Sequence, residues 1–325
     1  MKSKDTATLI NLNIEKVVTR GLSKNPKSLP SWLLYDDLGD EIFREIMQMP
    51  EYYPTRCEAD IFSTQHSQIL KDIMGDAPSF NLIELGAGDG TKTELLLHSF
   101  FKKGIKFKYF PLDISPHVLD LLKSRLSRRI PGLEIHPIAM DFNRALDSPD
   151  TFPEGHQKVF LFLGSNIGNM TQTKSVNFLK KIGGQMNRSD RLLVGFDLHK
   201  DPRIIQSAYD DEGGITAHFN FNLLHRLNRE LGADFDLKKF SHFPQYDPLE
   251  GVAKSFLVSR ENQEVFFEKF NRSFYFEQWE LLQTEISRKY RHEDIEKLAE
   301  LAGFEVRTWY EDEKRYYRDV LLQIK

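Results

Sequence analysis

The amino-acid sequence predicts an α/β protein: an open, mostly parallel sheet with an antiparallel C-terminal strand, accompanied by a second domain. Three observations predict it. Between residues 80 and 197, short apolar runs alternate with helical stretches, the pattern of right-handed crossovers in a parallel sheet. The first apolar run ends in a glycine loop, Gly86-Ala87-Gly88-Asp89-Gly90. The chain closes with a helix, a strand, a charged turn and a last strand, and so short a turn makes the final pair antiparallel.

Taken in order, residues 1–79 read as helical with loops. Leu38, Ile42, Phe43, Ile46 and Met47 recur at helical spacing, so one face of that helix packs. Pro50 and Pro54 then break the chain around Glu51-Tyr52-Tyr53. Phe80–Leu85 is the first strand, and a helix follows the glycine loop. Lys106–Leu112 is the second strand, ending at Asp113, and Pro116 opens the next helix where proline is tolerated. Leu133–Met140 is the third strand, ending at Asp141-Phe142. Lys158–Leu163 is the fourth, followed by the loop 164–169 (GSNIGN). A helix near Gln172–Met186 leads to the fifth strand, Leu192–Asp197. The alternation then stops for about ninety residues, which hold a polar helix (219–232) and strands at 252–259 and 264–270. A helix closed by Gly303 precedes the final two strands. This pattern predicts one domain from 60–198 and 288–325, and a substrate-recognition domain from 1–59 and 199–287, with the active site in the cleft between them.

Composition excludes several classes of function. The 325 residues are enough for two domains, and 40% hydrophobic residues with 12% aromatics supply a core that a disordered chain lacks. Forty-four Lys and Arg against 48 Asp and Glu leave a net charge of −4, which argues against nucleic-acid binding by bulk charge. No apolar run is long enough to span a membrane, and the N-terminus lacks a secretory pattern. The single cysteine, Cys57, permits neither an internal disulfide nor a cysteine zinc cage, and the ten histidines show no metal-ligand spacing. The expectation is a cytoplasmic monomer with no metal, nucleic-acid or membrane partner.

Glycines between a strand and a helix allow a sharp turn and close backbone approach to a ligand, and the helix start offers free N–H groups. The dinucleotide fingerprint G-x-G-x-x-G would need a third glycine at position 91, which is Thr91. Instead Glu84 precedes Gly86, Gly88 and Gly90, an E-x-G-x-G-x-G spacing that resembles motif I of the class I S-adenosylmethionine-dependent methyltransferases. Asp113 is placed to accept from two ribose hydroxyls. Asp141 and Phe142 offer an acceptor for the adenine amine and an apolar wall. Lys92 could pair with the carboxylate of the cofactor's methionine half. Blander readings stand beside these: a tight turn, a helix-capping Asp113, a solvated Lys92.

Further segments carry a closer resemblance. Residues 29–61 (LPSWLLYDDLGDEIFREIMQMPEYYPTRCEADI), with IELGAGDGTKT, PLDIS, FLGSNIGN, GFDLHKDP, the run 208–236, TEISRKY and AGFEV, resemble the histidine-specific S-adenosylmethionine-dependent methyltransferase family over roughly residues 28–325. The resemblance implies a Rossmann-like methyltransferase sheet with a substrate-recognition domain. It implies transfer of methyl groups from S-adenosylmethionine to the α-amino nitrogen of histidine, in three rounds, giving hercynine for ergothioneine biosynthesis. The cofactor residues carried over are Tyr35, Gly86, Lys92, Asp113, Asp141 and Phe142. Asn169 and Tyr209 match residues that hold the substrate α-carboxylate, and Tyr52, Glu285 and Ser287 match residues around the imidazole. Tyr53 could exchange roles with Tyr52.

The residue types suit that chemistry. In-line methyl transfer from a sulfonium needs a neutral amine and no covalent intermediate, so orientation carries catalysis and no catalytic nucleophile is expected. Taken singly, Tyr52 and Tyr53 could be packing aromatics, Asn169 a turn residue and Glu285 a solvated carboxylate. The sequence departs from the family pattern at Ser255, where the histidine enzymes carry methionine, and at Asn166, where threonine is commoner. The alternatives are a same-fold methyltransferase for another amino acid or small amine, a nucleotide-cofactor oxidoreductase, and an inactive cofactor-binding module. Thr91 and Lys92 count against the oxidoreductase, and the intact pocket set against the inactive module.

Overall fold

The computed structural model describes residues 14–75 and 77–325, the side chain of Pro149 aside. It divides into two compact units: an α/β unit, Tyr53–Lys200 with Arg288–Lys325, and a second unit of the described residues up to Tyr52 with Asp201–Ser287. The first boundary falls at Tyr53, where the sequence reading placed it at 60. Tyr53–Met74 is one unbroken helix, and such a helix does not divide between cores. Pro54 is its second residue, a position whose N–H has no helical partner anyway, so the proline starts this helix. No helix among the described residues is long and apolar enough to cross a membrane.

The α/β unit is built on an eight-stranded sheet. From one edge its order is Phe304–Glu311, Tyr317–Ile324, Arg191–Asp197, Gln157–Phe162, Ser79–Leu85, Lys106–Asp113 and Glu134–Ile135, with Ile138–Ala139 also paired to Lys106–Asp113. Arg191–Asp197 through the far edge pair in parallel, and Tyr317–Ile324 runs antiparallel to both its neighbours. This is the sheet the alternation predicts. The strand Ser79–Leu85 is buried from Phe80 to Leu85, Asn81 and Glu84 included, as in a strand covered on both faces. Phe160, Phe162, Phe178, Phe196 and Leu322 continue that core. The helix Pro116–Arg129 opens on Pro116, and the Ser115 hydroxyl caps it by accepting from the Val118 N–H at 3.3 Å.

The third strand differs from its expected form. Leu133–Met140 is two short pieces, each paired to Lys106–Asp113, separated at His136-Pro137. Pro137 has no N–H to give the ladder, so the strand lifts locally. The register resumes unchanged: Tyr109 faces Ile135 and Leu112 faces Ile138, three residues on in each strand.

The second unit holds a four-stranded sheet in the order Lys27–Ser28, Leu281–Arg288, Val252–Ser259, Phe240–Asp247, and a separate hairpin, Gln263–Phe267 with Arg272–Phe276. Phe240–Asp247 carries Pro244 and does not read as a strand in the sequence. It is the outermost strand, where a missing N–H is tolerated. The helix Ile215–Leu231 ends on Gly232 at φ +62°, and its apolar stripe Phe219, Leu223, Leu227 lies in one core with Leu33, Leu34, Ile42 and Ile46. In the helix Asp37–Gln48 the buried stripe is Gly39, Ile42 and Ile46. Leu38 is exposed, because Gly39 takes the face that closes on the Leu34 carbonyl.

Candidate functional site

In the α/β unit the glycine loop leaves the carboxyl end of Ser79–Leu85. The Gly86 and Ala87 N–H groups both donate to the Leu112 carbonyl, at 2.8 and 3.0 Å, which binds the loop to the next strand. A Cβ at Gly88 would meet nothing within 4 Å, and one at Gly86 only Asn166 Nδ2 at 3.8 Å. The loop therefore presents bare backbone to open space, a cradle that side chains would fill. Gly90 faces inward: a Cβ there would lie 2.7 Å from Leu122.

Two acids shape this loop. Asp113 accepts from the Gly88 N–H at 2.9 Å and the Ser115 N–H at 3.0 Å, one bond on each oxygen. A carboxylate has about four acceptor sites, so Asp113 keeps capacity for a diol. Burial pushes its carboxyl up, against the pull of those N–H bonds. Glu84 is buried under the loop, accepting from the Thr93 hydroxyl at 2.6 Å and from the Tyr109 hydroxyl. Burial raises it to about 7, the two hydroxyls and Lys92 pulling it back only in part. Asp141 follows closely: Met140 N–H donates to the Asp113 carbonyl at 2.9 Å. The exposed Asp141 carboxylate caps a short helix through the Arg144 N–H at 3.1 Å, and the half-buried Phe142 ring packs edge-on against Phe162 and Phe178. Bare glycine backbone, a diol acceptor, a second exposed acid and an aromatic face fit a nucleoside-bearing ligand.

Lys92 is already engaged. Its ammonium bonds to the carboxylate of Glu58, which is fully buried and also accepts from the Gly164 N–H at 2.7 Å and the Tyr317 hydroxyl at 2.8 Å. Sequence reasoning missed Glu58, which lies inside the family-like segment 29–61 but 34 positions before its lysine, with nothing local to pair the two. Asp319, two residues from Tyr317 on the same strand face, is fully buried with neither carboxyl oxygen hydrogen-bonded; burial first, then the nearby Glu58, hold it well above the usual carboxylate range. Asn169 is half-buried at the end of the turn Asn166–Asn169. That turn is preceded by Ser165 at φ +57°, an uncommon conformation for a residue with a side chain, and the Ser165 hydroxyl accepts from the Asp197 N–H at 3.2 Å. Asn166 is tied locally, its amide donating to the Leu163 carbonyl at 2.8 Å.

The second unit gathers the other residues. Tyr35, Phe43, Tyr52 and Phe219 form an aromatic cluster with ring centroids 5.3 to 6.1 Å apart. The Tyr35 hydroxyl lies within electrostatic reach of Glu285, Tyr52, Asp40 and Tyr209; burial first, then those neighbours, hold it well above the usual tyrosine range. Glu285 and Ser287 project from one face of Leu281–Arg288, and Leu282 and Thr284 are buried. The buried Ser255 hydroxyl stands 3.5 Å from Glu285 Oε2. Tyr209 is buried just after the helix Pro202–Ser207. Tyr35, matched in sequence to the cofactor, thus stands with Tyr52, Tyr209 and Glu285. The adjacent tyrosines separate: Tyr52 joins this cluster, while the Tyr53 hydroxyl donates to the Asp197 carboxylate of the α/β unit at 2.9 and 2.8 Å. Among the described residues no group of three or more His, Cys, Asp or Glu could hold a metal ion.

Comparison with known proteins identifies the family. The family described as "Histidine-specific methyltransferase, SAM-dependent" matches residues 14–324. Histidine N-alpha-methyltransferase of Mycobacterium tuberculosis (strain CDC 1551 / Oshkosh) is 36% identical over 303 residues, 93% of this chain and 92% of that protein. Ergothioneine biosynthesis protein 1 of Schizosaccharomyces pombe is 31% identical over 288 residues, 87% of this chain and 37% of that protein. A 4-dimethylallyltryptophan N-methyltransferase of Claviceps purpurea is 28% identical over 212 residues, 62% of this chain and 60% of that protein.

Proposed function

The chain belongs to the histidine-specific, S-adenosylmethionine-dependent methyltransferase family, and on that premise we propose that it methylates the α-amino nitrogen of free L-histidine. Three rounds give hercynine, a step of ergothioneine biosynthesis. The observation that carries this reading is the aromatic cluster of Tyr35, Phe43, Tyr52 and Phe219 in the second unit, with Glu285 and Tyr209 within electrostatic reach of the Tyr35 phenol. That unit is then the substrate-recognition domain, and the enzyme a cytoplasmic monomer. The relatives named for histidine and ergothioneine support the choice of amino acid.

When bound, S-adenosylmethionine supplies a methyl group on a positively charged sulfonium. Gly86 and Gly88 admit the cofactor to the backbone, and Asp113 accepts from its ribose hydroxyls. Asp141 and Phe142 receive the adenine, and Lys92, backed by Glu58, meets the methionine carboxylate. Asn169 and Tyr209 donate to the histidine carboxylate. Tyr52, Glu285 and Ser287 surround the imidazole, with Glu285 accepting its N–H. A carboxylate at that place disfavours an apolar side chain, which would leave the charge desolvated and unpaired. The amine must be neutral to attack, so the residues act by orienting it, and no nucleophile or catalytic residue is assigned. The Tyr35 phenol stays protonated at neutral pH and serves as a hydrogen-bonding group, not a base.

The test is calorimetric titration with S-adenosylhomocysteine, followed by methyl transfer to a panel of the twenty amino acids and 4-dimethylallyltryptophan. Histidine is expected to lead. Glu285→Ala is expected to lower kcat/KM for histidine roughly 10- to 100-fold, the worth of one hydrogen bond to a charged group. Near-normal kcat/KM removes Glu285 from the imidazole site. No affinity for S-adenosylhomocysteine overturns the whole reading.

A further inference from the structure

The chain passes between its two units at three places: Tyr52/Tyr53, Lys200/Asp201 and Ser287/Arg288. Within the α/β unit all three segments meet at one buried ion cluster. Asp197, the last residue of its strand, takes the Tyr53 hydroxyl on both oxygens. The Lys200 ammonium lies 2.5 Å from its Oδ1 and the Lys289 ammonium 2.8 Å from its Oδ2. Lys200 also donates to the Leu198 carbonyl at 2.6 Å and to the Tyr53 hydroxyl at 2.9 Å, with its ammonium 4.1 Å from the centre of the Tyr53 ring. The backbones are joined as well. Tyr290 N–H donates to the Asp197 carbonyl at 2.9 Å, and His199 N–H to the Tyr290 carbonyl at 3.0 Å.

The charged side chains are 1% (Asp197), 3% (Lys200) and 0% (Lys289) exposed. Desolvating three charges is costly, and apolar residues of similar size would hold the segments together without that cost. What the ions add is direction: charge-assisted hydrogen bonds are short and angular, whereas apolar contacts can slide. The cluster also sits beside the substrate residues in sequence. Tyr53 follows Tyr52, and Lys289 follows Glu285 and Ser287 by four and two positions.

We propose that Asp197 is a positioning residue for substrate binding: through Tyr53 and Lys289 it fixes the backbone that carries Tyr52 and the strand end that carries Glu285 and Ser287. The proposal rests on the reading of those three as substrate residues. Asp197 touches no reacting atom in this role and acts through its partners.

The experiment uses the full chain. Tyr53→Phe removes one hydroxyl and keeps both ion pairs, so the protein is expected to fold. Asp197→Asn is the stronger variant, with circular dichroism as the check on folding. Tyr53→Phe is expected to raise KM for histidine roughly tenfold, about the worth of one hydrogen bond, while kcat and the Kd for S-adenosylhomocysteine stay within about twofold. Asp197→Asn, where folded, moves KM further in the same direction. A lowered Tm with KM unmoved overturns the proposal, as does a parallel loss of S-adenosylhomocysteine affinity. If the wild type methylates a different amino acid of the panel, the histidine reading fails and that amino acid takes its place in the KM measurement. A wild type inactive on every amino acid overturns the functional reading and this proposal together.

Discussion

Glu84→Gln is expected to remove a pH dependence of stability that the glycine loop builds into the protein. Glu84 is buried beneath the loop, and its carboxyl is raised from 4.5 to about 7, first by burial and then against the partial relief of Thr93, Tyr109 and Lys92. The folded protein therefore keeps a proton that the unfolded chain has already lost. Glu84's contribution is fully present below about pH 4.5, declines as pH rises, and is lost above about pH 7. At about 1.4 kcal/mol per pH unit, most of the interval between those values lies between pH 5 and 8, so the wild type loses about 2 to 3 kcal/mol from this group across that span. Glutamine is nearly isosteric, can still accept from Thr93, and does not ionise. The assay is urea unfolding of both proteins at pH 5, 6, 7 and 8, read as the difference between variant and wild type. Other titrating groups cancel in that difference. The variant should gain on the wild type by about 2 to 3 kcal/mol from pH 5 to 8. A difference flat to within about 0.5 kcal/mol would mean that Glu84 ionises near its ordinary value and that the burial argument is wrong.

Two neighbouring glycines should respond differently to the same change. Gly90→Ala combines a φ of +66° with a Cβ 2.7 Å from the buried Leu122, and is expected to destabilise the fold by about 2 to 4 kcal/mol in urea titration. Gly88→Ala, at φ +53° with open space beyond, should cost only about 1 to 2 kcal/mol and instead weaken S-adenosylhomocysteine binding by calorimetry. Equal stability losses with equal affinities would contradict the assignment of the loop's two faces. Cys57, raised to about 12 first by burial and then by Asp312, should resist an aromatic disulfide reagent at pH 8 in the native protein and react with one equivalent in urea. Rapid labelling of the native protein would show that the thiol is not enclosed.

Much of the α/β unit was legible because its signals are local. A buried parallel strand is a mostly apolar run, a glycine loop is a set of backbone conformations, and Pro116 marks a helix start. Each is decided within a few residues. Where local patterns competed with packing, packing prevailed. Pro54 opens a helix instead of ending one, Pro137 divides a strand without shifting its register, and Pro244 sits in a strand that only an edge permits. The candidate site divides in the same way. Gly86, Asp113, Asp141 and Phe142 follow from strand ends, whereas no local pattern pairs Glu58 with Lys92, 34 positions away.

By itself, then, the sequence determined the sheet, the glycine loop and the family. Only the tertiary structure decided which of two adjacent tyrosines turns to which partner. It also decided that Tyr35 stands with Glu285 and that residues 53, 197, 200 and 289 share one ion cluster. The reason is physical. Backbone preferences act over a few bonds and are written in residue type, but a buried charge takes whichever counter-charge the packed chain brings within about 3 Å. Among 48 acids and 44 Lys and Arg, nothing short of the folded chain makes that choice.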